Sequence, residues 1–102
     1  MEKINYSANV KQALADESPI VALESTVITH GLPMPKNLEV AQAMEASILS
    51  SGAIPATIGV LDGDIHIGLE PDELERLASS KTAVKISRRD IAGAMLNKLD
   101  GG

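Results

Sequence analysis

Glu24 directly follows the apolar run Ile20-Val21-Ala22-Leu23, and a short continuous run of this kind bounded by a turn signal reads as a strand buried on both faces of a parallel sheet. In open α/β sheets ligands bind outside the carboxyl ends of the strands, so a carboxyl at that position, partly desolvated, could carry a raised pKa and donate a proton. The competing reading is an acidic group that bonds to Ser25 and Thr26 or caps a helix. Lys85 stands near the end of a second strand-like stretch, with Arg88, Arg89 and a helix start close behind it. A local cationic focus suits a phosphate monoester, held by an ammonium group and backbone N–H groups. A solvated edge strand followed by a charged helix start is the plainer alternative. His30 is placed to donate to a substrate oxygen, against the simpler reading of a solvated loop histidine. Asp62, Asp64 and His66 hint at a metal site, but His66 and Ile67 stand where an EF-hand loop needs an acidic or amide group and a glycine. A hairpin turn explains this trio better.

The elements that must position these groups follow from spacing. Val10 and Leu14 lie four apart behind Ser7, a candidate N-cap, which predicts a short helix over residues 7–15 ended by Ser18-Pro19. Residues 29–36 hold two prolines and a glycine and are expected to form a shaped loop without a regular element. Leu38, Ala41, Met44 and Ile48 define a helix over 37–51, with Asn37 as its cap and Gly52 as its stop. Strands over 56–61 and 64–69 flank the turn dipeptide Asp62-Gly63, and Pro71 suits the first position of a helix carrying Leu74 and Leu77. Residues 82–86 read as a strand with Ala83, Lys85 and Ser87 on one face. Ser87 and Asp90 have capping-box spacing, and Ile91, Met95 and Leu99 set one stripe on a last helix stopped at Gly101-Gly102.

Alternating helices and strands without repeats or linkers predict one α/β layer. The chain has 102 residues, too few for a second domain, and its 44% hydrophobic content is that of a globular core. Tyr6 is the sole aromatic residue, so stacking platforms for nucleobases are absent, and a net charge of −5 disfavours any broad hold on nucleic acid. There is no cysteine, hence no disulfide framework, thiolate nucleophile or cysteine zinc site. With no leader or membrane-spanning run in view, a cytoplasmic setting is expected. P-loop, dinucleotide and nucleophile-elbow motifs are missing. The last helix should cross back into a further parallel strand for which the pattern leaves no residues, so 1–102 are expected to be a single partial domain.

Ala22-Leu23-Glu24-Ser25-Thr26, Thr29-His30-Gly31-Leu32-Pro33-Met34-Pro35, Gly52-Ala53-Ile54-Pro55-Ala56-Thr57-Ile58 and Lys85-Ile86-Ser87-Arg88-Arg89-Asp90, in this order and spacing, resemble the pseudouridine-5'-phosphate glycosidase family, also called the indigoidine synthase A family. The likeness runs from about Pro19 onward and corresponds to the N-terminal third or so of the family's domain. It implies part of an α/β/α sandwich with a mixed, mainly parallel sheet, assembled as a homotrimer. It also implies reversible cleavage of the C–C glycosidic bond of pseudouridine 5'-phosphate to uracil and ribose 5-phosphate, with the help of Mn2+.

By that resemblance Glu24 is the proton donor and Lys85 a substrate-binding residue. The family's Schiff-base lysine and metal-binding aspartate match nothing in these residues; Lys81 and Lys98 occupy no matching motif. The chain by itself is therefore expected to be catalytically incomplete. The alternative is a non-catalytic module that binds a phosphate ligand or regulates a partner.

Overall fold

The computed structural model describes residues 4–102. Ile4–Tyr6 form β1, a strand that three residues of mixed polarity do not announce in the sequence; it pairs parallel with β4 (Asp64–Ile67), Ile4 opposite Ile65. Helix α1 (Ala8–Asp16) begins as expected at Ser7, whose hydroxyl oxygen accepts the Val10 N–H at 3.3 Å. Strand β2 (Ile20–Leu23) runs parallel to the first half of β3 (Ile54–Leu61), and β3 turns antiparallel into β4 through Asp62-Gly63. Both turn residues have positive φ, 50° and 77°, the requirement of a type I′ hairpin turn. The resulting order β1-β4-β3-β2 is a mixed, mainly parallel four-stranded sheet, in agreement with the expected class.

Helix α2 (Lys36–Ser50) is followed by Gly52 at φ 93°, and α3 (Pro71–Ser79) has proline at its first position, both as the spacing predicts. Leu74, Leu77 and Ala78 of α3 join Ala41 of α2, Ile28, Leu61 and Leu69 in the principal core. Residues that share a face with Leu61 look toward these helices: Thr57 donates its hydroxyl to Glu45 of α2, and Gly59 lies against Leu77. Ala22, Ile58, Val60 and Ile65 belong to the opposite face.

Several expectations are corrected. Strand β2 is not buried on both faces. Among the described residues it pairs only with β3 and leaves Val21 41% exposed, because full burial needs a neighbour along each edge and a layer over each face. The proline-containing loop does hold a regular element, a single π-helical turn over Val27–Gly31. Asn37 does not cap α2; it is buried inside the helix, where its amide serves carbonyls of other elements. Residues 82–86 form no sheet strand, only one bridge at Val84. The final helix, α4 (Ile91–Leu96), stops well before Gly101. Lys98 takes a left-handed φ of 52°, its N–H donates to the Met95 carbonyl at 3.3 Å, and the Leu99 N–H reaches the Ala94 carbonyl at 2.9 Å, so a Schellman turn ends the helix without glycine.

The segment after α4 is not the expected parallel strand; it makes isolated bridges to β3 and to Val84. Gly101 exchanges two backbone hydrogen bonds with Val60, at 2.8 and 2.9 Å, antiparallel to β3. On its other side the segment runs parallel to 84–86: Val84 N–H donates to Asp100 at 2.9 Å, Gly102 N–H to Val84 at 3.1 Å and Ile86 N–H to Gly102 at 2.9 Å. Only glycine fits at this point. A Cβ on Gly101 would press into the Val84 carbonyl oxygen and come 2.8 Å from Ile86 Cγ1. Gly101→Ala is expected to lower stability by about 1–3 kcal/mol through overpacking, read as a lower urea midpoint at unchanged m-value.

Candidate functional site

Strand β3 changes partners along one edge. Over Ile54–Thr57 it pairs with β2, and at Val60 with Gly101. At the handover the Ile58 carbonyl accepts the Ser25 hydroxyl at 2.6 Å, while the Ser25 carbonyl accepts the N–H groups of Ile28 and Thr29 at 3.0 and 3.2 Å. Ser25, 2% exposed, thus pins the end of β2 to β3 and starts the π-helical turn. The backbone of Glu24 is held between a strand and a helical turn, as in crevices outside strand ends where α/β sheets bind ligands.

A cavity of ≈ 360 Å³ opens there. Its walls are Ala22–Thr26 at the end of β2, Ile58–Val60 and Ile65 from the sheet, Ile86 and Ile91 from the chain beyond α3, and Gly102. The lining is mostly aliphatic, with Glu24 as its one ionisable side chain among the described residues, a setting in which few polar groups orient a ligand. Glu24 is exposed at the cavity wall. It takes no hydrogen bond or ion pair from the described residues, so neither the loop-bonding nor the capping alternative applies.

Lys85 is also exposed and without a partner among the described residues. It sits between Val84, bridged to Gly101, and Ile86, which lines the cavity, but its own side chain is not part of the lining. Arg88 and Arg89 lie in a 3₁₀ turn, Arg88–Asp90, just beyond. At this turn's start the Ser87 N–H, one of the backbone groups an anion could use, is already taken. Asp90 Oδ2 accepts both the Ser87 N–H, at 2.9 Å, and the Ser87 hydroxyl, at 2.7 Å, completing the predicted capping box.

The hydrogen bonds from the Ser87 side chain and backbone, aided by the nearby Arg89 charge, hold the Asp90 carboxyl below its ordinary pKa. A depressed folded-state value stabilises the turn above the ordinary carboxylate range, and the contribution is lost as pH falls through the lowered value. The Ser87 amide is accordingly expected to lose hydrogen-exchange protection in acid, and Asp90→Asn to remove that pH dependence.

Other sequence candidates are not brought to the cavity. His30 closes the π-helical turn, exposed, with Nδ1 2.9 Å from Thr29 Oγ1. Asp62 lies in the hairpin turn and pairs with Arg76 at 3.0 Å, whereas His66, on β4, is buried with Nδ1 3.3 Å from Glu73 Oε2. No group of three or more His, Asp or Glu side chains able to hold a metal ion is found among the described residues. The residues present therefore do not fit the implied Mn2+, and no step is assigned to it. Sequence reasoning missed Ser25 and Gly102. A serine next to a candidate carboxylate was visible, but its bond to Ile58 was not.

A mixed α/β sheet with a ligand crevice at the end of β2, walled by an unpaired glutamate, defines the class. The chain belongs to the family of indigoidine synthase A like proteins, whose model matches residues 9–102. A pseudouridine-5'-phosphate glycosidase of Staphylococcus aureus (strain MW2) is 54% identical over 98 residues, 96% of this chain and 32% of that protein. The corresponding protein of Mycoplasmopsis agalactiae is 50% identical, over 97% of this chain and 33% of its own length. Among solved structures, a prealnumycin C-glycosynthase in complex with ribulose 5-phosphate superposes with a TM-score of 0.83 at 38% identity, covering 100% of this chain and 32% of that one. An indigoidine synthase A-like protein from Thermotoga maritima gives 0.82 at 26% identity, covering 98% of this chain and 32% of its own. The chain spans about a third of the length of the curated relatives it matches. No helix among the described residues is long and apolar enough to cross a membrane.

Proposed function

We infer that these residues form the N-terminal third of a pseudouridine-5'-phosphate glycosidase, which reversibly converts pseudouridine 5'-phosphate and water to uracil and ribose 5-phosphate. The observation that carries this reading is Glu24, an unpaired carboxylate on the wall of the cavity at the end of β2. The relatives' names supply the substrate class, and the ribulose 5-phosphate held by the C-glycosynthase supports a pentose phosphate as the kind of ligand.

The chemistry accounts for the residues. A C–C glycosidic bond has no leaving oxygen to protonate, so the sugar must open to an aldehyde equivalent that an amine traps, creating a sink for the electrons of the breaking bond. Nothing in this chain is assigned as that amine. Glu24 supplies a proton, during ring opening or to the departing uracil carbon. Lys85, with Arg88 and Arg89 near it in sequence, anchors the phosphate or a sugar oxygen, and this remote binding energy helps hold the reacting carbon in place. Mn2+, a homotrimeric assembly and a cytoplasmic location belong to the same reading and rest on the resemblance. The exposed Ile58 on the cavity wall favours further protein covering it.

The full-length polypeptide carrying these residues, given pseudouridine 5'-phosphate, is expected to release uracil, followed by chromatography. Absence of release from a folded sample overturns the reading. A stop codon directly after Gly102, with ribose 5-phosphate bound but no turnover, would instead establish the non-catalytic module.

A further inference from the structure

We propose that Arg76 and Asp100 are positioning residues of this site, which set the placement of Glu24 relative to Lys85 by fixing the register of the 100–102 segment. The inference rests on the function proposed above. Asp100 Oδ1 accepts the Asp62 N–H at 2.7 Å and Arg76 Nη2 at 3.0 Å, and Oδ2 accepts the same Nη2 at 2.9 Å. Asp62 Oδ1 completes the triangle at 3.0 Å from Nη2. Hydrogen bonds to Asp62 and then to Asp100 raise the Arg76 pKa above its ordinary value, so the guanidinium stays protonated. None of these side chains lines the cavity.

Their influence travels along three residues. Asp100 is tied to the β3–β4 turn and to α3; Gly101 then zips to Val60, and Gly102 reaches the cavity wall. Gly102 faces the catalytic elements on both sides. Its Cα lies so close to Ser25 that a Cβ would collide with the Ser25 hydroxyl, and Ser25 carries Glu24. Its carbonyl accepts the Ile86 N–H at 2.9 Å, and Ile86 is the residue after Lys85. The same short segment is the spacer between proton donor and substrate-binding lysine. A slip by one residue would reverse the faces and exchange its partners. Two glycines have no side chains to grip their neighbours, and the Asp100 carboxylate, read by Arg76 and the Asp62 N–H, is the side-chain anchor of register, beside the Leu99 carbonyl that accepts the Gly63 N–H at 2.9 Å.

The test uses the full-length protein with Asp100→Ala and Arg76→Ala, the second a half-exposed helix position where alanine is a good helix former and the fold should be retained. Kinetics with pseudouridine 5'-phosphate are taken at a temperature where circular dichroism shows all proteins folded. Exchange of the Gly101, Gly102 and Ile86 amides is followed alongside. Each variant is expected to lose about 10- to 100-fold in kcat, the scale of a small misplacement, with KM raised a few-fold and protection of these amides lost. The double variant should resemble the single ones. Unchanged kcat and KM in the folded variants, or full amide protection whatever the kinetics, overturns the proposal. If the wild-type protein does not turn over this substrate, the functional reading fails by itself, and amide protection alone decides whether the clamp sets the register.

Discussion

Replacing Glu24 by glutamine in the full-length protein is expected to lower kcat about 10²- to 10⁴-fold, the range spanned by a positioned proton donor. Glutamine keeps the side chain's length and planar shape but removes its charge and its capacity to give up and take back a proton. The native side chain is exposed and unpartnered among the described residues, so the replacement orphans no donor. Stability should stay within about 0.5 kcal/mol of wild type, as for other surface changes. Binding of ribose 5-phosphate should change little, since Lys85 and the aliphatic wall are untouched. A drop in kcat with KM preserved identifies a group that acts in the transition state; an equal loss of substrate affinity would make Glu24 a binding residue instead.

Asn37→Asp is expected to be the most damaging single change to the fold. Asn37 is 2% exposed, and its amide nitrogen donates to the carbonyls of Ile28 and Ala78, both at 2.8 Å, while its oxygen accepts the Leu38 N–H at 2.8 Å. One side chain thereby joins the π-helical turn, α2 and α3. An introduced carboxylate would point an oxygen at two carbonyl oxygens and bury a charge without a counterion. The expected cost is about 3–5 kcal/mol, comparable to breaking a buried pair. Part of it should vanish in acid. Burial raises the folded-state pKa of the new carboxyl above its unfolded value of about 3.9, so the penalty is smallest below that value and grows as pH rises through and beyond it. Urea titrations of both proteins across this range would show the gap closing toward low pH; a pH-independent difference would mean that the amide's geometry, and not the charge, is what matters. Because Ile28 stands beside the chain that leaves Glu24 and Ser25, loss of this link is also expected to loosen the floor of the site.

Much of the local architecture was readable in short-range chemistry. Ser7 caps α1, Asp62-Gly63 turns the hairpin, Pro71 opens α3, and Ser87 with Asp90 builds its box, because each device needs partners no more than a few residues away. Glu24 at the end of β2 was legible for the same reason, since an apolar run broken by a carboxylate marks both the strand and its exit. Where the partner is remote, pattern misleads. Asn37 has the residue type of a cap, yet its amide is used by carbonyls on two other elements. The alternation of 82–86 promises a strand, but among the described residues it forms a single bridge, to the 100–102 segment.

By themselves, then, the residues determined the α/β class, the turns and caps, and the two candidate side chains, Glu24 and Lys85, because these depend on residue type and short spacing. Only the tertiary structure decided that β2 is an edge strand, that β3 passes from β2 to Gly101 beside the cavity, and that an Arg76–Asp100 clamp lies behind this junction. The reason is physical. Register and edge pairing are settled by backbone hydrogen bonds between segments far apart in the chain, and the glycines that make the closest of these contacts carry no side-chain pattern that could announce them.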